Sequence, residues 1–114
     1  MSDKILLVHY HILAERRIRM TEEEKKLLAV RMKDAMPVMR KTLKLTQSDL
    51  SSMSGVSRSV ISGVERGLQP LGWDAFLAIT TVFQSNPTCN KLFEVFGIDL
   101  KQLKDYFCVE NTEM

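Results

Sequence analysis

From Thr21 to Phe107 the apolar residues recur three and four positions apart, and the breaks between the runs are capping and turn residues. Thr21-Glu22-Glu23-Glu24 reads as a helix start: Thr21 caps, Glu24 reaches back, and the acidic first turn suits the positive end of the helix dipole. Leu27, Leu28, Val30 and Met32 continue the stripe. Pro37 lacks a backbone donor and clashes one turn back, so a break or kink is expected near Ala35 and Met36, with Met36, Met39 and Leu43 resuming beyond it. Thr46-Gln47-Ser48-Asp49 opens a second helix whose inner face is Leu50 and Met53, and Gly55 ends it. Ser57 caps a third helix that runs to Gly67 with Val60, Ile61 and Val64 inward.

Leu68 to Gly72 reads as a loop, and residues 73–83 as a fourth helix carrying Phe76, Leu77, Ile79 and Phe83. Asn86-Pro87 starts a fifth, lined by Leu92, Phe93 and Phe96 and stopped by Gly97. Asp99 to Gln102 resembles a capping box, followed by Leu100, Leu103, Tyr106 and Phe107 on an amphipathic helix. Residues 5–13 are ambiguous: Val8, Tyr10 and Ile12 alternate as in a strand, whereas Ile5, Val8 and Ile12 also fit a helical stripe, and helix is preferred. The division expected is an opening arm at 1–20, a main domain at 21–97, and a C-terminal helix and tail at 98–114. The fold class is all-α.

The chain has 114 residues, 45% hydrophobic and 26% charged, which are ordinary globular values for one domain. Its net charge of +2 does not by itself argue for nucleic acid, but basic residues outnumber Asp34, Asp49 and Glu65 between Arg31 and Gly67. Cys89 and Cys108 form no C-x-x-C pair and no zinc-finger spacing, so both are read as reduced thiols of a cytoplasmic protein. No apolar run is long enough for a membrane span, and His9, Tyr10 and His11 interrupt the opening one, so no secretory leader is expected. His9 and His11 lack a third ligand at suitable spacing; no metal and no cofactor is expected. No nucleophile–base pair or phosphate-cradling glycine loop stands out, so an enzyme is not expected.

The stretch Leu45 to Gly67 carries the functional signal. Two short helices meet at Gly55, which tolerates positive φ, and Leu50, Ile61 and Val64 tie them together as a helix-turn-helix requires. It resembles the phage-repressor and Cro-like helix-turn-helix family. The matching residues are Leu45-Thr46-Gln47, Gly55-Val56-Ser57, Ile61-Ser62, Glu65, Gly67 and Pro70, within a likeness spanning Met36 to Phe83. The resemblance implies a compact bundle of about five helices that binds operator DNA as a two-fold dimer.

A recognition helix meets base edges with its N-terminal residues, here Arg58, Ser59 and Ser62. Arg58 is the strongest candidate, because a guanidinium donates two hydrogen bonds to guanine O6 and N7. Gly63 stands where members of that family often carry a polar reading side chain, and having none it narrows the reading surface. Gln47 and Ser57, at helix starts, are expected to meet phosphates, with Lys44 and Arg66 adding charge and Arg40 and Lys41 supporting them. Arg40 and Glu65 match positions that pair as a salt bridge in the family, so the pair is expected to set the angle of the reading helix.

Leu92, Phe93, Phe96, Leu100, Leu103 and Phe107 are the first candidates for a homodimer interface, and Ile5, Val8 and Ile12 the second; completing the monomer core is the alternative for both sets. The leading function is a sequence-specific transcriptional regulator, a repressor on a pseudopalindromic operator. The other is the antitoxin half of a toxin–antitoxin pair, whose C-terminal helices hold a protein partner while DNA binding serves autoregulation.

Overall fold

The structure, a computed structural model, describes residues 20–105. Every regular element among them is helical. Helix α1 spans Glu22–Thr42, α2 Gln47–Ser54, α3 Arg58–Glu65 and α4 Trp73–Gln84. A single 3-10 turn at Pro87–Cys89 leads into α5, Asn90–Val95, and residues 100–105 are helical, α6. The residues group into two units, 25–98 and a second that includes 20–24 and 99–105; each is described by itself. The readings of the opening arm, of His9 and His11, and of Tyr106, Phe107 and Cys108 lie outside the described residues.

In the larger unit α2 packs against both α3 and α4. Its core is built from Met32, Met36 and Met39 of α1, Leu50 of α2, Ile61 and Val64 of α3, Phe76, Ile79 and Phe83 of α4, and Phe93 of α5, all essentially fully buried. Trp73 stacks on Phe76 within α4 at 4.8 Å between ring centroids, with the Lys25 ammonium 5.5 Å from the indole. Arg31 Nη1 donates to the Gly97 carbonyl at 2.8 Å, joining α1 to the chain just past α5. Cys89 is buried, and burial pushes its thiol above its ordinary pKa.

The expected break at Pro37 is absent, and α1 runs through it. A proline inside a helix costs about 3 kcal/mol, because the hydrogen bond to the carbonyl one turn back is lost and the ring crowds that carbonyl. Met32, Ala35 and Met36 before it and Met39 after it are all fully buried. Each large side chain gains about 1.5–3 kcal/mol from burial, so three methionines on one continuous face outweigh the proline. Three inward assignments are also corrected. Leu27, Val30 and Met53 are 49%, 57% and 56% exposed. The inner stripe of α1 is Leu28, Met32, Ala35, Met36 and Met39, at steps of three and four that leave Leu27 and Val30 off the face. In α2, Leu50 alone is buried, since eight residues present only one full inner position.

The helix starts follow the capping residues. Thr21 Oγ1 accepts from the Glu24 N–H. Thr46 and Asp49 form a reciprocal capping box, Thr46 Oγ1 accepting from the Asp49 N–H at 3.0 Å and Asp49 Oδ2 from the Thr46 N–H at 2.9 Å. Ser57 Oγ accepts from the Val60 N–H. In the smaller unit Asp99 Oδ1 accepts from the Lys101 and Gln102 N–H groups, but the Gln102 amide donates to Glu24 instead of closing a box. The backbone bond to Asp49, and then the contact with the Thr46 side chain, hold the Asp49 carboxyl below the ordinary carboxylate range.

The end of α1 is less comfortable than the starts. Lys44 N donates to Lys41 O and Leu45 N to Arg40 O, closing a Schellman motif with Lys44 in the left-handed conformation at φ 58°. A side chain there costs about 1–2 kcal/mol relative to glycine. Lys44→Gly should therefore raise stability by about 1 kcal/mol in urea unfolding. The Asp49 cap has a pH signature of known sign. A depressed carboxyl contributes stability that is present above its unfolded pKa and lost as pH falls through the folded one. Asp49→Asn should be less stable than the parent at neutral pH, with the difference in melting temperature shrinking on acidification.

Candidate nucleic-acid interface

The turn between α2 and α3 is three residues long. Gly55 takes φ 79° and its N–H donates to Ser51 O, so the chain reverses at a point where a side chain would be strained. Ser54 Oγ donates to Leu50 O and accepts from the Val56 N–H, fixing the turn from within. Helix α3 then starts at the Ser57 cap with its first turn in solvent: Ser57, Arg58 and Ser59 are exposed. Ile61 and Val64 anchor the opposite side, and Val60 and Ser62 are half-buried. At 3.6 residues per turn, Arg58, Ser59, Ser62 and Arg66 share the side facing away from Ile61 and Val64. The Arg66 Nε donates back to Ser62 O at 3.4 Å, which keeps its guanidinium beside α3. Ser57 Oγ and Ser59 Oγ lie 3.4 Å apart.

One acidic group organises the other end of α3. Arg40 approaches the Glu65 carboxylate with two nitrogens, Nε to Oε2 at 3.1 Å and Nη2 to Oε1 at 2.9 Å. The third guanidinium nitrogen, Nη1, donates to Leu45 O at 3.1 Å. Gln47 Nε2 also donates to Glu65 Oε1, at 3.2 Å. Side chains of α1 and α2 thus converge on the last residue of α3, and Arg40 also holds a carbonyl of the intervening loop. The pair is largely covered, 14% exposed at Arg40 and 8% at Glu65. The hydrogen bond to Glu65 raises the Arg40 pKa further above its ordinary high value, so its charge is permanent.

The sequence-selected residues therefore separate. Arg58, Ser59, Ser62 and Arg66 come together along one side of α3, with Ser57 at its cap. Arg40, Glu65 and Gln47 come together at its far end. Gln47 sits at the first position of α2 but its side-chain donor points inward to Glu65. Lys44 is exposed on the α1–α2 loop.

Gly63 is more than a missing side chain. It is buried, and a Cβ added there would meet Gln69 Cδ at 3.1 Å and Gln69 Nε2 at 3.2 Å. Gln69 Nε2 donates to Val60 O at 3.2 Å, although Gln69 itself is exposed. Sequence spacing gave no sign of this contact, because it depends on the loop after α3 folding back along the helix. Among the described residues no His, Cys, Asp or Glu cluster could hold a metal ion, and no helix is long and apolar enough to cross a membrane.

Breaking the Glu65 cluster should be costly, since removing one member leaves a covered guanidinium without its counter-charge. Glu65→Ala should lose about 3 kcal/mol in urea unfolding, at the lower end of what severing a buried ion pair costs. Arg40→Lys should recover only part of the loss produced by Arg40→Ala, because an ammonium cannot reproduce the two-pronged contact.

Comparison with curated proteins and with solved structures found no match. A protein-family model described as Helix-turn-helix matches residues 39–80, from the end of α1 into α4. The match covers the Glu65 cluster, the Gly55 turn and the whole of α3, and it supports a DNA-binding role in transcription regulation. Over residues 39–80 the chain matches the helix-turn-helix family of Cro and phage-repressor-like proteins.

Proposed function

We propose that the protein is a transcriptional repressor that binds a pseudopalindromic operator as a homodimer in the cytoplasm. The observation that carries this reading is the solvent-facing first turn of α3, Ser57 to Ser59, on a helix whose opposite side is anchored by Ile61 and Val64. A helix presented in this way enters the major groove N-terminus first. Arg58 reads a guanine through O6 and N7, and Ser59 and Ser62 add hydrogen bonds to neighbouring bases. Ser57, Lys44 and Arg66 meet phosphates and fix the register, as does Gln47 through the amide proton not given to Glu65.

Residues 21–97 act as the DNA-binding domain in this reading, and pairing involves the segments that flank it. A domain of this size reads one half-site, so two copies related by two-fold symmetry gain both affinity and discrimination. Of the apolar residues first considered for pairing, Phe93 and Leu103 are buried within the chain itself. Leu92, Phe96 and Leu100 retain partial exposure for a second copy.

In-vitro selection from random duplexes tests the whole reading at once. The expected product is a two-fold-related sequence with a guanine preference in each half. Arg58→Ala should weaken binding to that sequence by about 1–3 kcal/mol and relax preference at one base position. Equal weakening on selected and scrambled duplexes would refute base reading by Arg58.

A further inference from the structure

Helix α3 ends in a way that turns the following loop back toward its own surface. Gly67, at φ 74°, donates to Val64 O, and Leu68 N donates to Gly63 O at 2.8 Å. These two bonds are the pair that defines a Schellman ending, and they need a left-handed residue at position 67. Gln69 comes immediately after them. Its Cγ and Cδ lie over Gly63, within 3.2 Å of where a Cβ would be, so a side chain at position 63 and the Gln69 stem compete for one space. Any residue larger than glycine there would have to push the glutamine aside.

The Gln69 amide is consequently held, not loose. The Val60 carbonyl can only accept, so the nitrogen must face it, and the 3.2 Å bond fixes one N–H. That leaves the second N–H as a donor and Oε1 as an acceptor. Among the described residues no group donates to Oε1, and the residue is exposed. Gly63 lies at the edge of the outward side of α3, four residues after Ser59 and so directly along the helix from it. A donor and an acceptor from one planar amide therefore stand at the edge of the outward side of α3, beside Val60 and Gly63.

We propose that Gln69 is a base-reading residue, which reaches the DNA from the loop after α3 by lying across Gly63 and recognises an adenine in each half-site. An adenine offers N7 as acceptor and N6–H as donor in the major groove, the complement of a glutamine amide's free N–H and oxygen. The bond to Val60 O orients the amide before DNA arrives, which reduces the ordering cost on binding. The proposal rests on the reading that α3 occupies the major groove.

The test is in-vitro selection with the full chain and with two variants, Gln69→Met and Gln69→Ala, each paired with a thermal melt. Gln69→Met keeps the stem over Gly63 and loses both polar atoms. Gln69→Ala loses the stem as well. The expected result is that the parent selects an adenine at one position of each half-site and both variants lose that preference alone. Affinity for the selected duplex should fall about tenfold, while affinity for a duplex substituted at that position stays unchanged. A purely structural role would weaken binding to all duplexes alike and leave the preferred sequence intact; that result in either variant overturns the proposal. A parent that binds no duplex overturns the DNA reading itself, whereas a parent with a clear preference that both variants retain overturns only the role of Gln69.

Discussion

The disposition of α3 depends on a single carboxylate. Glu65 is the last residue of that helix, and it receives donors from Arg40 in α1 and Gln47 in α2, while Arg40 also holds the Leu45 carbonyl between them. A two-pronged guanidinium contact constrains direction as well as distance, because both parallel bonds must be kept together. Apolar packing by Ile61 and Val64 specifies which side of α3 faces inward but is less exacting about its tilt. The ion pair supplies that missing constraint at the far end. Two charges at this depth pay for their own desolvation, so the value of the cluster lies more in orientation than in net stability.

The short connections follow from how the helices end. Both α1 and α3 finish in Schellman motifs, one at Lys44 and one at Gly67, which satisfy the last carbonyls without further residues. The new starts at Thr46 and Ser57 are equally economical, because side-chain oxygens take up free N–H groups at once. The α2–α3 segment therefore holds two complete helices and their caps within little more than twenty residues, and its core contribution reduces to Leu50, Ile61 and Val64. So small a core cannot fix geometry alone, which is why polar anchors matter at its margins.

Much of this was legible in the sequence. Capping residues at Thr21, Thr46 and Ser57, glycines at 55 and 67, and the proline at 87 each have a local cause, and each marks an element end within a residue or two. The exposed first turn of α3 was legible for the same reason, since a cap followed by Arg58 and Ser59 has no apolar residue to bury. What failed was non-local. Pro37 reads as a breaker because its cost is local, whereas the burial that overrides it belongs to four residues on both sides meeting other helices. Leu27, Val30 and Met53 are apolar and near the right spacing, yet only the angular position of the packed neighbours decides that they face outward. Gln69 was invisible because nothing in a five-residue loop indicates which helix atom its side chain will rest on.

Cys89 illustrates a last property of the packed unit. Its sulfur sits in the covered junction between α4 and α5, and that setting disfavours the thiolate. Alkylating agents and peroxides attack the ionised sulfur, so this position is shielded twice, by access and by protonation. The domain carries an oxidisable atom without being redox-responsive at it, and reactivity there would report opening of the segment 87–95 rather than chemistry in the folded state.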